Sequence, residues 1–262
     1  APISFQAETI TLAGRLSEKK SEVLSAIFFG GLGMALIGIF GLLEKIVNFI
    51  GPEITNAMMA GVGIMLAYVA VEMGLKEKII GAVSVVSALI IWVFTLSLVH
   101  TIVWSVLISC IVGYFTEFDP VEHDESNEKI QIQPLVWKFW KSPTVIRGAL
   151  ALITLNIGAN ISFGKITGQI ADSSVNVDHL AIYSSLADMA SSLFGGSPVE
   201  SIISATGDAP NPMWAGILMM GIFAVILLAK LLPKIGKFVP QSSISGFLLV
   251  LGAIVTLPTN AQ

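Results

Sequence analysis

The chain has 262 residues, of which 54% are hydrophobic and only 12% charged, where soluble domains carry about 25% charged residues. The net charge of −4 is small and argues nothing about nucleic acid; no nucleic-acid partner is expected. One cysteine, Cys110, excludes an intramolecular disulfide framework and a cysteine-based zinc site, and His100, His123 and His179 stand too far apart to form a ligand motif. The composition is that of an all-α polytopic membrane protein.

In chain order, residues 1–13 (APISFQAETITLA) are too short to cross a bilayer as a helix. Pro2 and the alternating residues after it predict a short extended piece leading into a half helix. No basic region precedes a short apolar stretch, so no signal peptide is read, and the start at Ala1 leaves room for an earlier segment. Residues 14–22 read as a polar loop. The first full span is 23–43, since about 20 apolar residues cross a hydrocarbon core of roughly 30 Å. Its glycines, Gly30, Gly31, Gly33, Gly38 and Gly41, suit close helix packing. A turn at 44–51 leads to Pro52 and a second span, 53–73, with the small pair Ala57 and Gly61.

Residues 79–115 contain no charge if His100 is neutral. They are too long for one helix and predict two, hinged near 98–101. Residues 116–143 are the one substantial soluble loop. Its first half is acidic; its second mixes Trp137, Phe139 and Trp140 with Lys138 and Lys141, the pattern of a membrane–water interface. The span 145–163 places Asn156 and Asn160, four residues apart, on one helix face. A polar connection at 164–180 follows, then a short span at 181–194, and two last spans at 213–232 and 239–257. The reading is seven full spans, one shorter span and two broken segments.

The second broken segment is Leu193–Gly216, LFGGSPVESIISATGDAPNPMWAG. It gathers Gly195, Gly196, Pro198, Gly207, Pro210 and Pro212 around Glu200 and Asp208. Glycine and proline break helices, and in lipid a broken backbone survives only where it is buried in protein or lines a cavity. A carboxylate there is a site by default. Asp188, inside the short span, is a candidate proton or cation group on the same ground, while Asp208 reads as a turn or cap residue. With these spans, twelve Lys and Arg fall on one side of the membrane, and only Lys45 and Lys165 on the other. The positive-inside rule would make the first side cytoplasmic.

The stretch LADMASSLFGGSPVESIISATGD resembles the ninth and tenth segments of the xanthine/uracil permease family, the nucleobase-ascorbate transporters. LNIGANISFGKITG (155–168) resembles its eighth segment, GLLEKIVNFIGPEITNAMMAGVGIMLA (41–67) its turn and fifth segment, and APISFQAE its third. The resemblance implies part of a fold of fourteen segments in two inverted repeats of seven. In that fold the third and tenth segments each carry a short strand beside the substrate. It implies a single membrane domain, 1–262, with core-type segments 1–43 and 145–232, gate-type segments 51–115 and 239–260, and the loop 116–143. On this mapping the chain runs from the third segment to the twelfth, as a fragment, a processed form or a shorter relative. Three departures stand out. The family's eighth-segment carboxylate is replaced at Leu155 or Asn156. Its tenth-segment carboxylate falls at Ser204, with Glu200 one helical turn earlier as the nearest substitute. The family topology also puts the lysine-rich side outside, against the charge rule.

The resemblance implies a site formed by a half-helix N-terminus after Gly195–Gly196, lined by Gly196, Ser197, Glu200, Ser201 and Ser204. Asn156 and Asn160 would face it from the neighbouring helix, and Phe5, Gln6 and Glu8 from the opposing broken segment. Glu200, Glu8 and Asp188 are the candidate proton-coupling groups. The expected function is a secondary transporter of a nucleobase or similar small planar solute in the cell (inner) membrane, with a homodimer as one expected state and no cofactor or metal. The alternatives are an anion carrier of the same fold and a membrane subunit that needs partner chains. An enzyme is not expected, because the sequence has no HExxH, GxSxG or P-loop pattern.

Overall fold

The computed structural model describes residues 2–5, 7–116, 132–231, 235–236 and 238–256. They form two compact units. The first comprises Ala1–Thr55 and Asn127–Ser204, the second Asn56–Ser126 and Ala205–Gln262. The segment 205–231, grouped by the sequence with the core-type segments, makes its contacts within the second unit.

The first unit begins with strand β1 (Ile3–Phe5) and the half helix α1 (Ala7–Leu16). Helix α2 (Lys20–Ile39) packs against both α6 (Pro143–Ile170) and α7 (Val177–Leu193). The α2 glycines allow this approach: a Cβ at Gly30 would lie 3.3 Å from Leu152 Cβ, and one at Gly31 would lie 3.0 Å from the Ser185 carbonyl oxygen. A core of Ala13, Leu24, Ala26, Ile27, Leu135 and Leu152 sits beside these contacts. Leu135 enters it from the extended segment 132–136, where Gln133 N–H donates to Leu193 O (2.8 Å) and Val136 N–H to Ser25 Oγ (2.7 Å). Trp137 meets Phe28 edge to face with ring centroids 5.9 Å apart, and Trp137 and Trp140 stay mostly exposed.

Helix α3 (Leu42–Lys76) starts where a turn was expected. Residues 42–50 are helical, and the break is confined to Gly51, at φ +76°, just before Pro52. The early start has a physical cause in Asp178. Its carboxylate accepts the Leu43 N–H at 2.9 Å and the Glu44 N–H at 3.3 Å, two donors that a helix start leaves without partners. Asp178→Ala is expected to lower stability by about 1–2 kcal/mol, measured by denaturant unfolding in detergent. A loss no larger than that of an exposed Asp→Ala control would overturn this capping role.

Two further expectations are corrected. The polar connection at 164–180 is helical as far as Ile170, because Gly164 and Gly168 bring α6 against Leu180 and Val175. The loop at 14–22 is helical to Leu16 and again from Lys20.

In the second unit, α4 (Lys78–Thr95) and α5 (Leu98–Phe115) form a hairpin that turns at Leu96, φ +50°. Asp208 caps α5 by accepting the Leu98 N–H at 2.9 Å. Helix α8 (Pro212–Leu228) follows a single helical turn at Ala205–Asp208. The last segment is a turn at Gln241–Ile244, the short helix α9 (Ser245–Leu249), and a wider π-type helix over Val250–Thr256. Ser84 fastens it to α4: its Oγ donates to Ser243 O (2.6 Å) and accepts the Gly246 N–H (3.0 Å). The pair Ala57 and Gly61 does not act as a packing motif here. Both residues are exposed, and a Cβ at Gly61 would meet nothing within 4 Å.

Among the described residues five helices, α2 to α6, are long and apolar enough to cross a membrane; α8 and the last segment are shorter and apolar.

Candidate functional site

Chain breaks at membrane depth need partners for their backbone groups, and in the first unit two breaks satisfy one another. Strand β1 pairs antiparallel with β2 (Val199–Ser201), in the register Ile3 to Ser201, Ser4 to Glu200 and Phe5 to Val199. Ile202 N–H donates to Pro2 O at 3.0 Å and extends the pairing.

The half-helix N-terminus expected after Gly195–Gly196 is not formed. These glycines close α7 instead. Gly195 adopts φ +82°, and Gly196 N–H donates to Ser191 O at 2.8 Å, which is how a helix C-terminus is satisfied. Ser191 Oγ donates to Ser197 O at 2.6 Å and closes the turn. Pro198 then keeps the chain extended into β2. Glu200 and Ser201 are therefore strand residues, and Glu200 is not one helical turn from Ser204. Ser204 lies beyond the strand, just before the turn 205–208. Successive strand side chains point to opposite faces, so Glu200 and Ser201, both wholly buried, do not line one surface. Ser201 Oγ donates to Ala159 O on α6 at 3.5 Å. Thr167 Oγ1, also on α6, donates to Ile202 O at 3.2 Å.

Asn156 and Asn160 do share a buried face of α6. Asn160 is committed to structure: its Nδ2 donates to Asn156 O (2.9 Å) and its Oδ1 accepts from Ser184 Oγ of α7 (3.3 Å). Asn156 is tied to Asp188, Nδ2 donating to Oδ2 at 3.2 Å. The other oxygen of Asp188 accepts the Val199 N–H of β2 at 2.7 Å. One carboxylate thus joins α6, α7 and the paired strands. Of the remaining expected site residues, Phe5 is placed in β1 by its backbone and Glu8 in α1. Their side chains and all of Gln6 lie outside the described residues.

Asp188 is a candidate proton or cation group from the sequence, but its ties to Asn156 and Val199, with Ser184 and Ser185 a turn before it, are not legible there. The available signal was the spacing of Ser184, Ser185, Asp188 and Ser192, which puts polar residues on one face of an otherwise apolar helix.

The chain is similar to a solved structure of the transmembrane domain of a cyanobacterium bicarbonate transporter, BicA. The TM-score is 0.65 at 14% sequence identity, and the match covers 95% of this chain and 71% of that one. No family model matches the sequence, and no curated protein matches it. At this identity the likeness concerns the fold. The chain is an all-α integral membrane protein with part of an inverted-repeat transporter fold, and its two broken segments carry the short strands.

Proposed function

We propose that the chain is a secondary active transporter of a small polar solute, a nucleobase or a similar planar molecule, held beside the paired strands. The observation that carries this reading is the pairing of β1 with β2, each in a broken segment, with the buried Glu200 in the strand. A nucleobase edge of N–H and C=O groups suits carboxylate and amide side chains such as those of Glu200, Asp188 and Asn156. Glu200 is a buried carboxylate in the strand, and a proton taken up there would tie uptake to the proton gradient.

The fold likeness to a bicarbonate transporter supports a second reading, a small anion. Serine hydroxyls and backbone N–H groups would then hold the solute, with a co-transported cation balancing the carboxylates.

Uptake into proteoliposomes of labelled uracil, xanthine, bicarbonate and sulfate separates the two. Uptake of a neutral base is expected, and Glu200→Gln is expected to retain base binding by thermal shift while uptake loses its pH dependence. Unchanged pH-dependent uptake in Glu200→Gln would overturn the role of Glu200. Uptake of the anions alone would replace the first reading with the second.

A further inference from the structure

We propose that the chain binds a small monovalent cation, of the charge and size of sodium, at Asp188, Asn156 and Ser185 between α6 and α7. This deepens the transport reading, since such an ion would be a coupling ion, and only its purpose rests on that reading; binding itself needs no solute.

Asp188 is 2% exposed and uses both carboxylate oxygens, one on Val199 N–H and one on Asn156 Nδ2. The second bond fixes the amide. Its NH2 faces the carboxylate, and Oδ1 sits on the same carbon. Asn156 is 1% exposed, yet this oxygen meets no donor among the described residues. Ser185 precedes Asp188 by three residues on the same face of α7. It is wholly buried, and its Oγ likewise has no partner. Gly31 of α2 closes against the same turn, where a Cβ would lie 3.0 Å from Ser185 O and 3.1 Å from Asp188 Cβ.

Buried polar atoms without partners are rare and costly. Two of them on residues flanking one buried carboxylate form an oxygen donor set, the kind that hard cations select. The charge count decides the valence. The set has one carboxylate and two neutral oxygens, and no group of three or more His, Cys, Asp or Glu gathers among the described residues. Divalent ions usually draw on more carboxylates, so the set matches a single positive charge.

A cation held there would take oxygens from Asp188, Asn156 and Ser185 with the amide as it stands. Because Asp188 also holds Val199, the residue before Glu200, occupancy of this set bears directly on strand β2.

The test is thermal unfolding of the purified chain in detergent, titrating sodium chloride against choline chloride at constant ionic strength, with potassium chloride in parallel. Ligand binding to the folded state raises stability by mass action. A saturating upward shift with sodium but not potassium is expected, absent in Asp188→Asn. Ser185→Ala deletes a hydroxyl that meets no partner among the described residues, so it is expected to fold as well as the wild type. Its half-saturating sodium concentration should rise by roughly ten-fold, as for loss of one contact to a bound metal. No sodium-specific shift in the wild type, or a shift unchanged in both variants, overturns the proposal. A sodium shift without uptake of any solute would leave the cation site standing and overturn the transport reading; solute uptake without a sodium shift does the reverse.

Discussion

Asp188→Ala is expected to lower stability by about 4 kcal/mol and to loosen the strand pair. The estimate follows from what the carboxylate holds. Its removal leaves the Val199 N–H and the Asn156 amide as buried donors without an acceptor, and each such group costs about 1–3 kcal/mol. The cavity left behind adds to this. Asp188→Asn is expected to lose about half as much, because one oxygen can still accept one of the two donors while the new NH2 faces the other. Two readouts check it. Denaturant unfolding in detergent gives the loss, and hydrogen exchange reports the amides of β1 and β2, which should exchange faster in Asp188→Ala than those of α4. A loss below about 1 kcal/mol, within the range of ordinary surface substitutions, or unchanged exchange in the strands, would show that Asp188 does not fasten them. The strands place Glu200, so any solute binding there is expected to weaken along with them.

The broken segments were legible in the sequence because glycine and proline leave few alternatives inside an apolar run. Pro2 and the residues after it pointed to an extended piece before a half helix, as β1 and α1 show. Asn156 and Asn160 were legible from their spacing alone, and both are buried on one face.

The error at Gly195–Gly196 was one of direction. The pair was read as opening a helix, whereas a glycine with positive φ closes one, and a proline just beyond such a closure is its usual companion. Read that way, Pro198 and the β-branched Val199 already favour a strand. The tie between Asn156 and Asp188 had no local signal, since the two residues are separated by 32 positions and meet only because α6 and α7 pack side by side. Helix ends shifted where a contact distant in sequence extended them, as Asp178 does for α3.

Glycines in apolar helices show the same limit, and Gly246 yields the second large effect. Gly61 and Gly246 look alike in the sequence. A Cβ at Gly61 meets nothing within 4 Å, whereas one at Gly246 would overlap the backbone carbonyl of Ser84. That carbonyl belongs to the middle of α4 and cannot rotate away as a side chain would. Gly246→Ala must therefore displace α9 from α4, and the shift would break two hydrogen bonds of Ser84 Oγ, from Gly246 N–H and to Ser243 O. Overpacking costs about 1–3 kcal/mol, and the two buried bonds about 1 kcal/mol each. The expected loss is about 4 kcal/mol for Gly246→Ala, with Gly61→Ala unchanged or slightly more stable, since alanine is the better helix former. Folded yield and denaturant midpoint in detergent measure both. Equal stability of the two variants would mean that close backbone packing at Gly246 does not hold the last segment. Ser84→Ala separates the terms: it removes the hydrogen bonds without the overlap, and should cost about half as much.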